Sequence, residues 1–269
     1  PVSLITLNHK TNDVLKFDDN FAEIVHLDKY YKKFIDIFRL AKFLKKFNFD
    51  QIFIFYPSLR YYSACKIAGI NKVYHYPFLK KSNLHLVSTA KNFIENSLGI
   101  KNCPTETKIL IDKNNLKISK NNNFKTITLG IGSSGPTTKW GYKNYLSLIK
   151  KLNNIDKKYF YLLCGPDEDS EAKKIIEEVG GKNCESLSNK SISEVKDYIS
   201  ISNMYIGNDS FGHHLSCQMG KPSFIILLDT PRAYSDYSIN QNRIIPNGID
   251  IDKISHNSKL NPNTISVDM

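Results

Sequence analysis

MYIGNDSFGHHLSCQMGKPSFIILL, residues 204–228, reads as strand, turn, helix, turn, strand. MYIG opens the stretch and SFIILL closes it, each an unbroken apolar run of the kind buried on both faces of a parallel sheet. Between them a helix is expected over about 212–219, with Ser210 as its N-cap. Two like-directed strands joined through a helix form the unit of a doubly wound α/β sheet. The same stretch concentrates chemistry: Asp209, Ser210, Gly212, His213, His214 and Cys217 stand close together.

Working outward, the second half repeats that unit. Strands are expected at 126–131 and 159–164, with a short segment at 183–187. Helices are expected at 142–152, 170–179 and 193–201, the last opened by Ser191 and Glu194 in capping-box spacing. The first half alternates too: strands at 2–7, 22–27, 50–56 and 72–76, helices at 31–47, 59–68 and 84–98. Residues 101–123, polar and rich in Asn and Lys, read as a linker. The expectation is two Rossmann-like, doubly wound α/β domains facing a cleft: an incomplete first domain over 1–100, the linker, and a second domain over 124–269. Ligands of such sheets sit at the carboxyl ends of the strands. In the second half those ends carry GSSGPTTKW, GPDE and NDSFGHH.

The totals narrow the function. The 269 residues are 41% hydrophobic, enough for packed cores. No apolar run approaches the roughly 18 residues of a membrane span, and no basic-then-apolar leader opens the chain. A cytoplasmic protein is expected. The net charge of +11 comes almost wholly from Lys, with Arg only at Arg39, Arg60, Arg232 and Arg243. Base-edge readout favours Arg, so no nucleic-acid partner is expected. A generally basic surface is the plainer reading, with a weaker pull toward anionic lipid or a phosphorylated substrate. Cys65, Cys103, Cys164, Cys184 and Cys217 are dispersed and lack C-x-x-C spacing, which points to a reducing compartment.

Three readings of 209–217 compete. A metal site needs three or four ligands; His213 and Cys217 share a helix face, while adjacent His213 and His214 point about 100° apart. No metal is therefore expected. A serine nucleophile is opposed by the missing G-x-S-x-G frame and the absence of a triad. The anion reading fits the order of elements: the first-turn N–H groups of a helix that starts at a strand end face the ligand region. Gly212 would allow close approach of a diphosphate, and His214 could donate to a phosphate oxygen. Asp209, an anion, suits sugar hydroxyls. Plain N-capping is the bland alternative for Asp209 and Ser210.

Two further loops fit. In GIGSSGPTTKWGYKNY (130–145), Ser133, Ser134, Thr137 and Thr138 offer hydroxyls, and Lys139 a point charge for phosphate. It is not a P-loop. Trp140 is expected to pack the loop onto its helix rather than stack a base. In GPDE (165–168), Glu168 either complements a helix dipole or grips a ribose diol.

GSSGPTTKW, CGPDE, NKSISEV, GNDSFGHHL and GKPSFII, in that order across about 124–230, resemble glycosyltransferase family 9, the ADP-heptose:lipopolysaccharide heptosyltransferases and their relatives. DQIFIFYPSLRYYSACKIAGINKVYHYP extends a weaker resemblance into the first half. The resemblance implies the GT-B fold and an inverting, metal-independent transfer to a cell-envelope glycan such as lipopolysaccharide core. It implies no cofactor, a nucleoside-diphosphate sugar such as ADP-heptose as donor, a glycan or glycolipid acceptor, and peripheral contact with the cytoplasmic face of the inner membrane. By position, Lys139 and Asp209 become the catalytic pair, Lys139 on the diphosphate and Asp209 on the sugar. Ser133, Ser134, Thr138, Ser210, Phe211, Gly212 and His214 line the donor, Glu168 meets ribose, and the backbone at Lys190 meets the base. Arg60 is a candidate for an anionic acceptor group. Phe211 stands where the family has Gly. The chain is expected to begin at the family's second strand, without the loop that carries the general base, and to end as the last helix begins. Two alternatives stay open: a nucleotide-sugar epimerase and a non-catalytic nucleotide-sugar binding module.

Overall fold

The computed structural model describes residues 2–27, 34–78, 85–106, 108–112, 116, 118, 124–235, 237–255 and 258–268. The chain divides into two compact units, Pro1–Asn12 with Asp19–Thr105, and Asp13–Asp18 with Glu106–Met269.

In the first unit, β1 (Val2–Thr6) pairs in parallel with β2 (Phe21–His26), and β3 (Gln51–Ile54) with β4 (Lys72–His75). Helix α2 (Ile37–Lys45) follows a 3-10 turn at Phe34–Asp36, so the helix expected over 31–47 starts later; residues 28–33 lie outside those described. Its apolar residues at i, i+3, i+4 and i+7, Ile37, Leu40, Ala41 and Leu44, are its buried face. They pack with Ile54, Ala64, Cys65 and Ile70. Helix α3 (Leu59–Ile67) starts on Ser58, whose hydroxyl accepts the Tyr61 N–H at 3.3 Å. Helix α4 (Leu86–Leu98) closes on Gly99, at φ 67° in the left-handed region that glycine tolerates. Short α1 (Thr11–Leu15) has no periodic apolar signal and was not expected.

The second unit is built on one parallel sheet. Its strands are β5 (Lys125–Gly130), β6 (Lys158–Leu163), β7 (Cys184–Ser186), β8 (Met204–Asn208), β9 (Ser223–Ile226) and β10 (Gln241–Ile244). The lateral order is β10-β9-β8-β5-β6-β7. Counted from β5 this is the 3-2-1-4-5-6 order of dinucleotide-binding sheets. Edge strand β10, QNRI, is polar and lacks alternation, so it was not expected. Helices α5 (Tyr142–Ile155) and α6 (Asp169–Glu178) bury Tyr145, Ile149, Ala172 and Ile175 against one face of the sheet. Helices α7 (Ile192–Ile201) and α8 (Phe211–Gln218) contribute Val195, Ile199 and Leu215 to a separate cluster. Burial on both faces is why these strands are apolar throughout.

The peripheral segments are fastened by carbonyl contacts. Lys196 of α7, only 2% exposed, donates to Val14 O at 2.7 Å and Asp13 O at 3.2 Å. Burial pulls its ammonium below the ordinary lysine value. Part of the expected linker also packs on this unit: the Ile109 N–H donates to Gln218 O at 3.0 Å. Among the described residues no helix is long and apolar enough to cross a membrane.

Candidate functional site

The order reverses between β5 and β8, and the loops leaving their carboxyl ends meet through one buried side chain. Asn208 ends β8. Its Oδ1 accepts the Trp140 N–H and the Tyr145 hydroxyl, each at 2.9 Å, and its Nδ2 donates to Ile131 O at 2.8 Å. These bonds fix the loop after β5 against the start of α8. Trp140 packs as expected: it is buried, edge-on to Tyr145 at 5.0 Å, with Nε1 donating to Ile265 O at 2.9 Å.

Helix α8 begins on Ser210, but the Ser210 side chain makes no capping bond. Its hydroxyl lies instead 3.4 Å from the Tyr205 hydroxyl. The first-turn N–H groups are thus left without a side-chain acceptor from the cap, which suits an anion. Ser133 reaches the same corner, its hydroxyl 3.4 Å from Asp209 O and bonded to Thr138 Oγ1. Ser134 is exposed. A Cβ at Gly212 would lie 2.4 Å from Leu163 Cδ2 and 3.0 Å from Tyr205 Cε2, so the missing side chain makes room for the core. Phe211, by contrast, is 45% exposed at the helix start.

Asp209 precedes the cap, so the third and fourth helical residues, His213 and His214, both fold back over it. The divergence expected for adjacent histidines is therefore corrected: their ring centroids are 3.9 Å apart. Ligand atoms of Asp209, His213 and His214 all lie within 4.8 Å of one another. Asp209 Oδ1 is 2.8 Å from His213 Nδ1 and 3.7 Å from His214 Nε2. Oδ2 accepts the Thr230 hydroxyl. Burial pushes the Asp209 carboxyl up, but the His213 contact, Thr230 and His214 together outweigh it and leave the group below the usual carboxylate value. His214 is partly exposed, and its Nδ1 lies 2.7 Å from the Tyr237 hydroxyl.

Lys139 and Glu168, expected on different parts of a donor, are paired with each other at 2.9 Å. The second Glu168 oxygen accepts the Gly165 N–H at 3.0 Å. Both carboxylate oxygens are thereby engaged, one by Lys139 of the loop after β5 and one within the GPDE turn. Lys190 lies in the turn before α7, its ammonium 5.5 Å from the Tyr198 ring centroid. In the backbone expected to meet a base, the Lys190 N–H donates to Leu187 O at 3.0 Å. Arg60 belongs to the first unit. Its guanidinium lies 4.6 Å from the Tyr61 ring centroid, and its buried Nε has no hydrogen-bond partner among the described residues.

Sequence reading passed over several residues that build this corner. Asp229 takes the Thr137 hydroxyl at 2.5 Å and the Ser258 N–H at 2.8 Å, so it ties two loops together. Asp229 and Thr230 follow the next strand in order, and that position at a carboxyl end was the available signal. Tyr237 and Gln241 carried none. An open pocket of about 440 Å³ lies elsewhere, at the amino ends of β8 and β9 beside Ser202, Lys221 and Pro222.

No curated protein matches the chain. The family model described as Glycosyltransferase family 9 (heptosyltransferase) matches residues 57–245. Among solved structures, the family 9 glycosyl transferase of Veillonella parvula DSM 2008 is 16% identical with a TM-score of 0.77, over 99% of this chain and 84% of that one. The E. coli ADP-heptose LPS heptosyltransferase II is 13% identical with a TM-score of 0.73, over 98% and 86%. The UDP-GlcNAc 2-epimerase of Methanocaldococcus jannaschii is 12% identical with a TM-score of 0.55, over 98% and 95%. At these identities the likeness is one of fold, the α/β fold of GT-B enzymes.

Proposed function

The chain belongs to glycosyltransferase family 9, and on that premise we propose that it is an inverting, metal-independent glycosyltransferase. It moves heptose or a related sugar from a nucleoside-diphosphate donor to a cell-envelope glycan such as lipopolysaccharide core. The observation that carries this reading is the uncapped start of α8, with Asp209 beside it. Such a transfer needs the departing diphosphate stabilised by fixed positive charge. The α8 N–H groups and Lys139 supply it, with the hydroxyls of Ser133, Ser134, Thr138 and Ser210 around them. Asp209 holds the sugar, His214 donates to the diphosphate and Phe211 borders the sugar pocket. Donor binding draws Lys139 partly away from Glu168, which then meets ribose, while the base lies against the backbone at Lys190. Arg60 receives an anionic group of the acceptor.

The names of the similar structures support ADP-heptose as the first donor to try. Five free cysteines fit a cytoplasmic protein. Ile35 and Phe38, exposed beside Arg39 and Lys42, support peripheral contact with an anionic membrane surface. Incubation with ADP-heptose and lipopolysaccharide-core acceptors in EDTA tests the whole reading by mass spectrometry of the product. Transfer with inversion at the anomeric carbon is expected, and its loss in Asp209→Ala. Chelator-sensitive transfer, or none with any acceptor, contradicts it. The gathering of Asp209, His213, His214 and Tyr237 favours a second reading, epimerisation of the donor sugar. Product analysis of donor without acceptor separates the two.

A further inference from the structure

His213 is wholly buried, and both of its ring nitrogens face a partner. Nδ1 lies 2.8 Å from Asp209 Oδ1, and Nε2 lies 2.9 Å from the side-chain nitrogen of Gln241. The Gln241 amide is oriented from its other end, because its Oε1 accepts the Tyr237 N–H at 3.3 Å. Its NH₂ group therefore points at His213 and donates. A neutral imidazole nitrogen that accepts a hydrogen bond carries no proton, so the single proton sits on Nδ1, the nitrogen nearest Asp209. The other Asp209 oxygen is taken by the Thr230 hydroxyl. One oxygen of this carboxylate is thus hydrogen-bonded from the loop after β9, while the other lies in close polar contact with His213 of α8, without an aligned hydrogen bond.

We propose that Gln241 and His213 form a positioning relay: Gln241 fixes the Nδ1–H tautomer of His213, and His213 orients the Asp209 carboxylate toward the hydroxyls of the donor sugar. The inference rests on the sugar-holding role of Asp209 proposed above. A neutral donor suits that role. It aligns the carboxylate without placing a full positive charge beside it, so Asp209 keeps its anionic acceptor strength for sugar hydroxyls. The buried histidine of α8, not the partly exposed His214, is the one that sets the geometry of Asp209.

Long-range ¹H–¹⁵N NMR of the full chain reads the tautomer directly. An Nδ1–H neutral ring for His213 at neutral pH is expected, turning to a mixture of forms in Gln241→Leu. An Nε2–H ring or an imidazolium overturns the proposal. Calorimetry with ADP and ADP-heptose supplies the second readout. His213→Leu should weaken ADP-heptose binding about tenfold or more, the scale of one charge-assisted hydrogen bond, while ADP binding stays within about twofold. His213→Asn, whose amide nitrogen takes the place of Nδ1, should restore most of the loss. Equal losses in the Leu and Asn variants overturn the relay. If the wild-type chain binds neither ADP nor ADP-heptose, the functional reading fails, and the His213 tautomer still decides the relay.

Discussion

Asp209 shows what a single residue owes to its sequence and what it owes to the fold. Its place between an apolar strand and a helix start was legible, because strand end, N-cap and helix are local patterns. Its partners were not. His213 reaches it through the geometry of a helix start, Thr230 arrives from the loop after β9, and Gln241, the partner of His213, comes from β10 with no sequence signal. Because the Asp209 carboxyl lies below its ordinary value, its contacts contribute stability that is complete above the unfolded carboxylate pKa. That contribution is lost as pH falls through the lowered folded value. Urea unfolding of wild type and Asp209→Asn should show a stability gap that narrows from about pH 6 to about pH 3; a constant gap contradicts the pairing. Lys139 was legible as a phosphate-directed cation, but its resting partner Glu168 was not, since that pair bridges two loops. Lys139→Met should weaken ADP binding by about tenfold or more in a titration, because a charge-assisted contact is removed. An unchanged affinity would take Lys139 out of the site.

At the scale of elements, the strand ends are shaped around Tyr205. Its buried ring occupies the space that a Cβ at Gly130 or Gly207 would need, 1.8 Å and 2.6 Å from its hydroxyl oxygen. At Gly207 the Cβ would also lie 2.6 Å from the Gly130 Cα, so backbone as well as side chain would have to move. Gly207→Ala should therefore destabilise the chain by about 3 kcal/mol or more, the upper range for overpacking. Differential scanning calorimetry checks this, and a change under about 1 kcal/mol would contradict the packing account. Asn208→Ala removes three bonds and strands the Trp140 N–H in the interior, while the Tyr145 hydroxyl keeps Gly130 O as its acceptor. A loss of about 3 kcal/mol is expected by denaturant unfolding. The glycines were conspicuous in the sequence, yet their packing role was hidden: a glycine beside a phosphate and a glycine beside a tyrosine look alike until the fold supplies the neighbour. Edge strand β10 was hidden for another reason. Buried on fewer sides, it lacks the apolar run that marked β5, β6, β8 and β9.

Across the whole molecule, the alternation of strand and helix sufficed to predict a parallel α/β sheet, because burial on both faces writes itself into composition. It did not predict the lateral order. That order places the loops after β5 and β8 side by side, although Ser133 and Asp209, which meet there, are 76 positions apart in sequence. Motif order supplied the family, and the fold explains why those motifs converge. On the function proposed above, the start of α8, with Asp209 beside it, holds the donor. Isothermal titration of ADP-heptose against wild type and Asp209→Ala tests it most directly. Saturable binding by wild type is expected, and at least a tenfold loss in the variant with ADP affinity kept. Equal binding of ADP-heptose by both proteins would contradict it.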